Sequence, residues 1–329
     1  MELNAMDCEP IEKARKVQKK APHPVLSVFA CILIFLVASI PESLVLLGVF
    51  TAKYLSDPVF LETFRDLAGT PFAAYDYLMG VFMEAPMMIV QLFVTVFCSA
   101  LCVVYVVCIE KRPVRTMGIT KKRAPVRYLA GMGIGALLIA SVVGIECLIG
   151  ACRFDGVALD SGWWIILLFF FGFLLQGFEE ELLFRGTLMV SLSRRQSVRA
   201  AVAVNSLLFA AMHLANPGIT FLSIVDIFLF GVFASLLFLR TGSIWVCAAV
   251  HSIWNFMQGN FFGLNVSGYD LYPSVFRFSE TDVPSFIHGG KFGPEGGVTS
   301  IAVVLIAIVL LLVLPMRGKI EKSREASAE

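Results

Sequence analysis

The chain has 329 residues, of which 58% are hydrophobic and only 16% are charged, and its formal net charge at pH 7 is +1. Its mean hydropathy is +0.82. Soluble domains are about a quarter charged and less than half apolar, so this composition predicts an integral membrane protein and excludes an ordinary soluble domain. No basic face supports a nucleic-acid partner, and we expect membrane lipids to surround the chain instead.

Eight apolar stretches come close to the roughly 20 residues that a bilayer span requires. They are residues 25–50, 86–108, 128–150, 162–185, 199–215, 219–239, 243–259 and 298–316. The expected fold is therefore all-α, a polytopic bundle of about eight transmembrane helices. The first apolar run could pass for a signal peptide, but no convincing small-residue cleavage site follows it, so we expect an uncleaved first span.

Lysine and arginine are distributed unevenly between the segments that join these spans. If both termini are cytoplasmic, the cytoplasmic segments hold 20 of these residues and the outside segments hold 5. Such an excess on one side is the pattern of the positive-inside rule. We therefore expect both termini in the cytoplasm, and a bacterial plasma membrane as the location.

The predicted organisation has five parts. They are a cytoplasmic N-terminal tail (1–24), N-terminal spans and loops (25–124), a core (125–260), an extracytoplasmic loop (261–297), and a last span with a cytoplasmic tail (298–329). The loop could act as a lid, although a plain connector is the simpler interpretation. Gly131 and Gly135 have the small-xxx-small spacing that favours close helix packing. The eight cysteines lie mostly in apolar runs and are interpreted as small hydrophobic side chains.

A cluster of charges lies within the fourth apolar stretch. Three consecutive glutamates, Glu179, Glu180 and Glu181, and then Arg185 follow an uninterrupted hydrophobic run. Ionisable groups inside a membrane are costly, and each is a candidate functional residue. Glu181 and Arg185 have i, i+4 spacing and can pair, whereas Glu180 points about 100° away from Glu181 on a helix. Glu179 lies further round the helix and has no assigned role.

Two other predicted spans carry a histidine each. His213 lies near the end of the fifth span, and His251 lies in the seventh with Asn255 one helical turn later. Glu180 and His213 are each about 16 residues from the turn that joins their helices, so both are expected about 24 Å from that turn. His251 reaches the same height if this hairpin protrudes by about 10 Å. The sequence thus predicts that the four side chains meet at one level.

Such a set of side chains is suited to hydrolysis. A carboxylate and an imidazole can activate a water for attack on a carbonyl, and an imidazole and a carboxamide can stabilise the oxyanion. Glu180, His213 and His251 could alternatively bind Zn²⁺, with water as the fourth ligand, and a metal-independent reaction stays open. Taken singly, each histidine could be structural, and Asn255 could bridge helices. Asp226 belongs to no motif but could line the same cavity.

Three motifs occur in order, Glu180-Glu181-x-x-x-Arg185, Phe209-x-x-x-His213 and His251-x-x-x-Asn255. Together they resemble the CPBP (CAAX protease and bacteriocin-processing, or Abi) family of intramembrane proteases, which includes the type II CAAX prenyl endopeptidases. The resemblance covers about residues 125–260 and includes the text Glu-Leu-Leu-Phe-Arg-Gly. The third acidic residue, Glu179, is a departure that makes the register of the first motif ambiguous.

The resemblance implies an intramembrane endopeptidase of the glutamate or metallo type that acts on a membrane-associated protein or peptide, with CAAX-type and bacteriocin-like substrates as candidates. Glu180 would be the general base with His213 beside it, and His251 and Asn255 would form the oxyanion site. The Glu181–Arg185 pair would support the first glutamate. Two alternatives are a non-catalytic bacteriocin-immunity or scaffold protein with the same fold, and a proton- or ion-coupled transporter.

Overall fold

The structure is a computed structural model that describes residues 8–67, 69–159 and 162–314. It is mostly helical, as predicted. The end of the predicted eighth span, the C-terminal cytoplasmic tail and the first seven residues of the N-terminal tail lie outside the described residues.

The N-terminal segment begins with a short helix that packs on the bundle. Helix α1 (Glu9–Arg15) buries Ile11 and Ala14 completely. Helix α2 (Pro24–Tyr54) then runs for 31 residues and continues through Pro41. The polar segment before the first predicted span is therefore partly folded against the protein.

Two short helices follow at the far end of α2. They are α3 (Pro58–Asp66) and α4 (Pro71–Phe82). An aromatic cluster joins them to α2, with Phe50 stacked on Phe82 at a centroid distance of 5.4 Å and edge-on to Phe60 at 5.6 Å. The chain returns through α5 (Ala85–Val94) and α6 (Val96–Val104), which continues as a π-helix to Ile109.

The C-terminal half supplies most of the bundle. Its long helices are α7 (Ala124–Leu148), α8 (Trp163–Glu181), α10 (Val198–Met212), α11 (Phe221–Thr241), α12 (Ile244–Phe256) and α14 (Val298–Val313). Helix α8 passes through a π-helical stretch, Leu182–Met189, into α9 (Val190–Ser193). Helix α12 likewise continues as a π-helix over Met257–Phe261.

Within the described residues, four helices are long and apolar enough to cross a membrane. They are Pro24–Tyr54, Ala85–Ile109, Ala124–Leu148 and Phe221–Thr241. These correspond to the first, second, third and sixth predicted spans. The other four predicted spans are also helical where described, but α10 and α14 have only 15 and 16 residues. The count of eight spans stays a prediction.

The basic segments meet at one end of the bundle. Arg15 donates to the carbonyl of Ser193 (2.9 Å), and Arg194 donates to that of Lys19 (2.5 Å). At the same end of the helices, Arg240 donates to the carbonyl of Leu314 (2.8 Å). We call this the basic end. It brings together the segments that were predicted to share one side, while the assignment of that side to the cytoplasm stays a prediction.

The opposite end carries a folded segment, residues 262–297, which we call the roof segment. Its strand β2 (Phe276–Glu280) pairs antiparallel with β1 (Cys152–Val157). It also contains α13 (Ser285–His288), and two 3₁₀ turns cover residues 290–292 and 294–296. The backbone N–H of Gly268 donates to the carbonyl of Phe292, whose side chain is completely buried. This segment is folded against the bundle, unlike the plain connector that the sequence favoured.

Close packing of α7 on α12 fixes one wall of the bundle. A Cβ atom on Gly131 would lie 2.5 Å from the carbonyl oxygen of Val246, and one on Gly135 would lie 2.5 Å from that of Val250. A side chain at either position would meet backbone, so only glycine permits this approach. The small-residue face predicted from the sequence is confirmed, and it sets the position of α12.

Candidate active site

A cavity of about 380 Å³ lies between α8, α10, α11 and α12, with further walls from α2 and α5 and a ceiling from the roof segment. Four of the predicted residues line it, namely Glu180, His213, His251 and Asn255. The three helices that carry them therefore meet at one level, as residue counting from the turns predicted. Glu181 and Arg185 do not line the cavity and lie behind its wall.

His251 connects the two inner glutamates. Its Nδ1 is hydrogen-bonded to Oε1 of Glu181 (3.0 Å), and its Nε2 lies 3.8 Å from Oε2 of Glu180. Arg185 donates to the same Glu181 oxygen (2.8 Å) and to the carbonyl of Gly231 (3.1 Å). The predicted Glu181–Arg185 ion pair therefore forms. Its carboxylate also contacts the imidazole of His251, and it does not contact Glu180.

The buried guanidinium has a further partner in the second motif. Arg185 lies over the ring of Phe209, 4.6 Å from its centroid, and both members of the Glu181–Arg185 ion pair are fully buried. A buried ion pair is tolerated only when its charges have partners of good geometry. The aromatic face of Phe209 supplies a cation–π contact for this buried guanidinium.

Glu180 is held by a residue that the sequence reasoning missed. The side-chain amide of Gln176 donates to Oε1 of Glu180, and Asn255 Nδ2 donates to Oε1 of Gln176 (3.2 Å). Gln176 thus links the carboxylate of the first motif to the carboxamide of the third. Its i, i+4 spacing to Glu180 is the signal that could have identified it.

His213 directly follows the last residue of α10. Its Nδ1 is 2.8 Å from the carbonyl oxygen of Phe209, one turn earlier in the helix. A carbonyl oxygen only accepts, so Nδ1 carries the proton in this contact and Nε2 of a neutral ring keeps its lone pair. His213 therefore presents a nitrogen that can accept a proton from water.

The roof segment contributes a carboxylate that no sequence motif predicted at this site. Glu295 lines the cavity, and its Oε2 accepts hydrogen bonds from the backbone N–H (3.0 Å) and the hydroxyl (2.8 Å) of Ser267. Burial raises the pKa of Glu295, and the Ser267 hydrogen bonds and the nearby His213 and His251 offset part of that rise. No helical spacing connects this loop residue to the three motifs.

Two other membrane carboxylates also face this cavity. Asp226 on α11 lines it, as the sequence allowed, and accepts a hydrogen bond from Ser300 Oγ (2.6 Å). Glu179 lines the cavity as well, and its buried carboxyl group lies beside the thiol of Cys98. Glu146 on α7 is buried as well but is absent from the cavity wall.

The side chains do not form a ready ligand set for zinc. Among the residues that the structure describes, no three His, Cys, Asp or Glu side chains are grouped so that they could hold a metal ion. His251 uses Nδ1 for Glu181 and His213 uses Nδ1 for a backbone carbonyl, so each ring keeps Nε2, as metal-bound histidines commonly do. Glu180, His213 and His251 are not assembled as a ligand group in this arrangement, and zinc binding stays a prediction.

One comparison with known proteins gives a match. Residues 162–257 match the family model described as type II CAAX prenyl endopeptidase Rce1-like. The matched segment contains all three motifs, from Glu180 to Asn255, and confirms the resemblance to the CPBP family that the sequence indicated. No curated protein and no solved structure matches the chain significantly.

Proposed function

We propose that this chain, which is Rce1-like over residues 162–257, is an intramembrane endopeptidase that hydrolyses a peptide bond of a membrane-associated protein or peptide. The observation that carries the proposal is the convergence of Glu180, His213, His251 and Asn255 on one cavity. A carboxylate, two imidazoles and a carboxamide at one site can both activate water and stabilise an oxyanion.

In the first step, Glu180 takes a proton from a water molecule while the water oxygen forms a bond to the scissile carbonyl carbon. The carbonyl oxygen becomes an oxyanion. Collapse of this intermediate then breaks the C–N bond, and the proton held by Glu180 passes to the leaving amine. His213 lies on the same cavity with Nε2 free to accept, so it can orient the water beside Glu180.

In the proposed mechanism, His251 acts on the carbonyl oxygen of the scissile bond. When both of its nitrogens are protonated, Nδ1–H donates to Glu181 and Nε2–H is left to donate to the oxyanion. Asn255 supplies a second donor from the next turn of the same helix. Preorganised donors of this kind are worth about 10²–10³ in rate each, because they need no reorganisation as charge develops.

The Glu181–Arg185 pair keeps the imidazole in place. Glu181 accepts from both Arg185 and His251 in a region without solvent exposure. The ion pair therefore fixes the ring orientation and the nitrogen that faces the cavity. In the proposed mechanism these two residues are positioning residues, since neither reaches the cavity.

The rest of the cavity is suited to an apolar substrate segment. Its wall includes Phe35, Met88, Leu92, Phe173 and Leu183 from α2, α5 and the helix that carries the glutamates. Apolar and aromatic walls with a few convergent polar groups are typical of small-molecule and peptide pockets. CAAX-type and bacteriocin-like peptides are the substrate classes to try first, the former because of the family description.

The test is cleavage of a membrane-inserted peptide library by the purified full chain, with product masses read out. Glu180→Gln is expected to lower kcat by at least about 10³-fold, because the general base is lost while the side-chain shape is kept. Glu146→Gln is the matched control, since it removes another buried membrane carboxylate that does not reach the cavity. A chelator is expected to leave wild-type activity intact.

Cleavage that persists in Glu180→Gln would refute the assignment of the base. Activity that is lost with a chelator and restored by Zn²⁺ would instead establish a metalloprotease with a ligand set that forms only with the metal. A wild-type chain that binds peptides yet cleaves none would favour the non-catalytic alternative.

A further inference from the structure

Gln176 lies beside a close approach of two helices that carry the site. A Cβ atom on the next residue, Gly177, would lie 2.4 Å from the hydroxyl of Ser252 and 2.8 Å from its backbone nitrogen. Helices α8 and α12 therefore meet there without a side chain between them. Gln176 lines the cavity and bridges the same two helices through its contacts with Glu180 and Asn255. The proposed reaction so far gives it no part.

The three polar side chains form a series of hydrogen bonds with one direction. Nε2 of Gln176 donates to Oε1 of Glu180, and Oε1 of Gln176 accepts from Nδ2 of Asn255 at 3.2 Å. An ionised carboxylate only accepts hydrogen bonds, so a neighbouring amide must present its NH₂ group to it. Gln176 must then present its oxygen to Asn255, and Asn255 must present its own NH₂ group in turn.

This direction determines what Asn255 offers to a substrate. Its NH₂ group carries two N–H donors, one of which is donated to Gln176. The second is left for a ligand in the cavity, which Asn255 lines. Without the oxygen of Gln176, the amide can turn by about 180° and place its own oxygen where the NH₂ group was. An oxygen at that position repels an oxyanion, whereas a fixed donor stabilises it.

We infer that Gln176 is a positioning residue, which uses the negative charge of Glu180 to hold the side-chain amide of Asn255 as a hydrogen-bond donor. The inference rests on the proposed function for the roles of Glu180 as the base and Asn255 as the oxyanion donor. The carboxylate must be ionised to take a proton from water, and the same ionised form selects the orientation of the donor. The two halves of the site are therefore ready together.

The first experiment is kinetic. Gln176→Met removes both hydrogen bonds and keeps nearly the same side-chain length. With a peptide that the wild-type full chain cleaves in detergent micelles, it is expected to lower kcat by about tenfold or more and to leave KM within about twofold, because the lost interaction acts on the oxyanion. Gln91→Met is the matched control, since Gln91 is on the α5 wall and donates to the backbone carbonyl of Phe82 (3.2 Å). Its kcat should stay within about twofold of the wild type.

A double-mutant cycle tests whether Gln176 acts through Asn255. In the Asn255→Ala background, Gln176→Met should lower kcat by at most about threefold, because the amide that it orients is absent. A general structural role would give the same factor in both backgrounds. Equal factors would therefore overturn the inference.

A binding measurement separates this role from catalysis. The probe is a fluorescent peptide with a hydroxyethylene group in place of the scissile amide, because this group has the tetrahedral geometry of the intermediate. Glu180→Gln alone is expected to weaken its binding about tenfold, since the direction of the hydrogen bonds is no longer fixed. Gln176→Glu added to Glu180→Gln exchanges the carboxylate and the amide, and the new carboxylate again accepts from Asn255. This second change should restore at least about threefold of the affinity.

The outcomes of this measurement distinguish the two proposals. If no peptide is cleaved but the exchange restores binding of the probe, the positioning role stands and the proposed reaction fails. If Glu180→Gln and the exchanged variant bind the probe equally, the positioning role is refuted even where the wild type cleaves peptides.

Discussion

Behind the cavity wall, the carboxylate of Glu181 contacts both the guanidinium of Arg185 and the imidazole of His251. Its Oε1 accepts from Arg185 at 2.8 Å and is hydrogen-bonded to His251 at 3.0 Å. Loss of this carboxylate would leave a guanidinium buried without its counter-charge and an imidazole without its orienting partner. Stability and activity therefore depend on the same side chain.

For this reason Glu181→Ala is expected to lower the free energy of unfolding by about 3–5 kcal/mol, the usual cost of breaking a buried ion pair by removing one partner. Glu9→Ala is the control, because Glu9 forms an exposed i, i+4 pair with Lys13 and such pairs contribute about 0–1 kcal/mol. Denaturant unfolding in detergent micelles measures both. Equal effects of the two substitutions would contradict the structural role given to Glu181.

Residue spacing predicted part of this network and missed the rest for a physical reason. The Glu181–Arg185 pair follows from i, i+4 geometry within one helix, and so does the link from Gln176 to Glu180 once it is considered. The contact between Glu181 and His251 joins residues 70 positions apart. It depends on how α12 is rotated about its axis, which local periodicity does not determine.

Among the secondary-structure elements, α7 is one of the helices whose close approach to α12 constrains this rotation. Gly135 faces the backbone of Val250, the residue before His251, whereas Gly133 faces open space. Two glycines on the same helix thus differ only in what lies opposite them. An alanine substitution at each glycine therefore separates the effect of a packing clash from the effect of helix propensity.

Gly135→Ala is expected to displace α12 and to lower kcat by about tenfold or more, since small misplacements of reacting groups are costly. Gly133→Ala should keep wild-type activity and raise stability slightly, because alanine is the better helix former by about 1 kcal/mol. Cleavage rates and thermal unfolding of both variants test this. Equal losses in the two variants would show that general helix perturbation, and not the contact with Val250, is responsible.

The sequence predicted the helices far better than their interruptions. A hydrophobic period of 3.6 residues cannot reveal the π-helical stretch Leu182–Met189, where Thr187 Oγ1 donates to the carbonyl of Leu182, five residues earlier. Nor does composition show that the polar roof segment folds back onto the cavity. Its contact with the site is made by Glu295 and Ser267, residues without any periodic signal.

For the whole molecule, the grouping of basic segments at one end gives a test of orientation. Arg195 is exposed at the basic end and Asp155 at the end that carries the roof segment. In a chain whose native cysteines are replaced by alanine, Arg195→Cys should react with an impermeant maleimide only after the cytoplasmic face is opened. Asp155→Cys should react in intact cells. The reverse pattern would invert the predicted topology.

The shortness of α10 has a consequence for what happens after cleavage. Its 15 residues extend about 22 Å, less than the roughly 30 Å of a bilayer core, and His213, which directly follows its last residue, lines the same cavity as residues of the roof segment. With the predicted topology and a hairpin that protrudes by about 10 Å, the cavity lies near the middle of the bilayer. In the proposed reaction both new polar termini would therefore form inside the hydrocarbon layer, where the polar side chains of the cavity take the place of water.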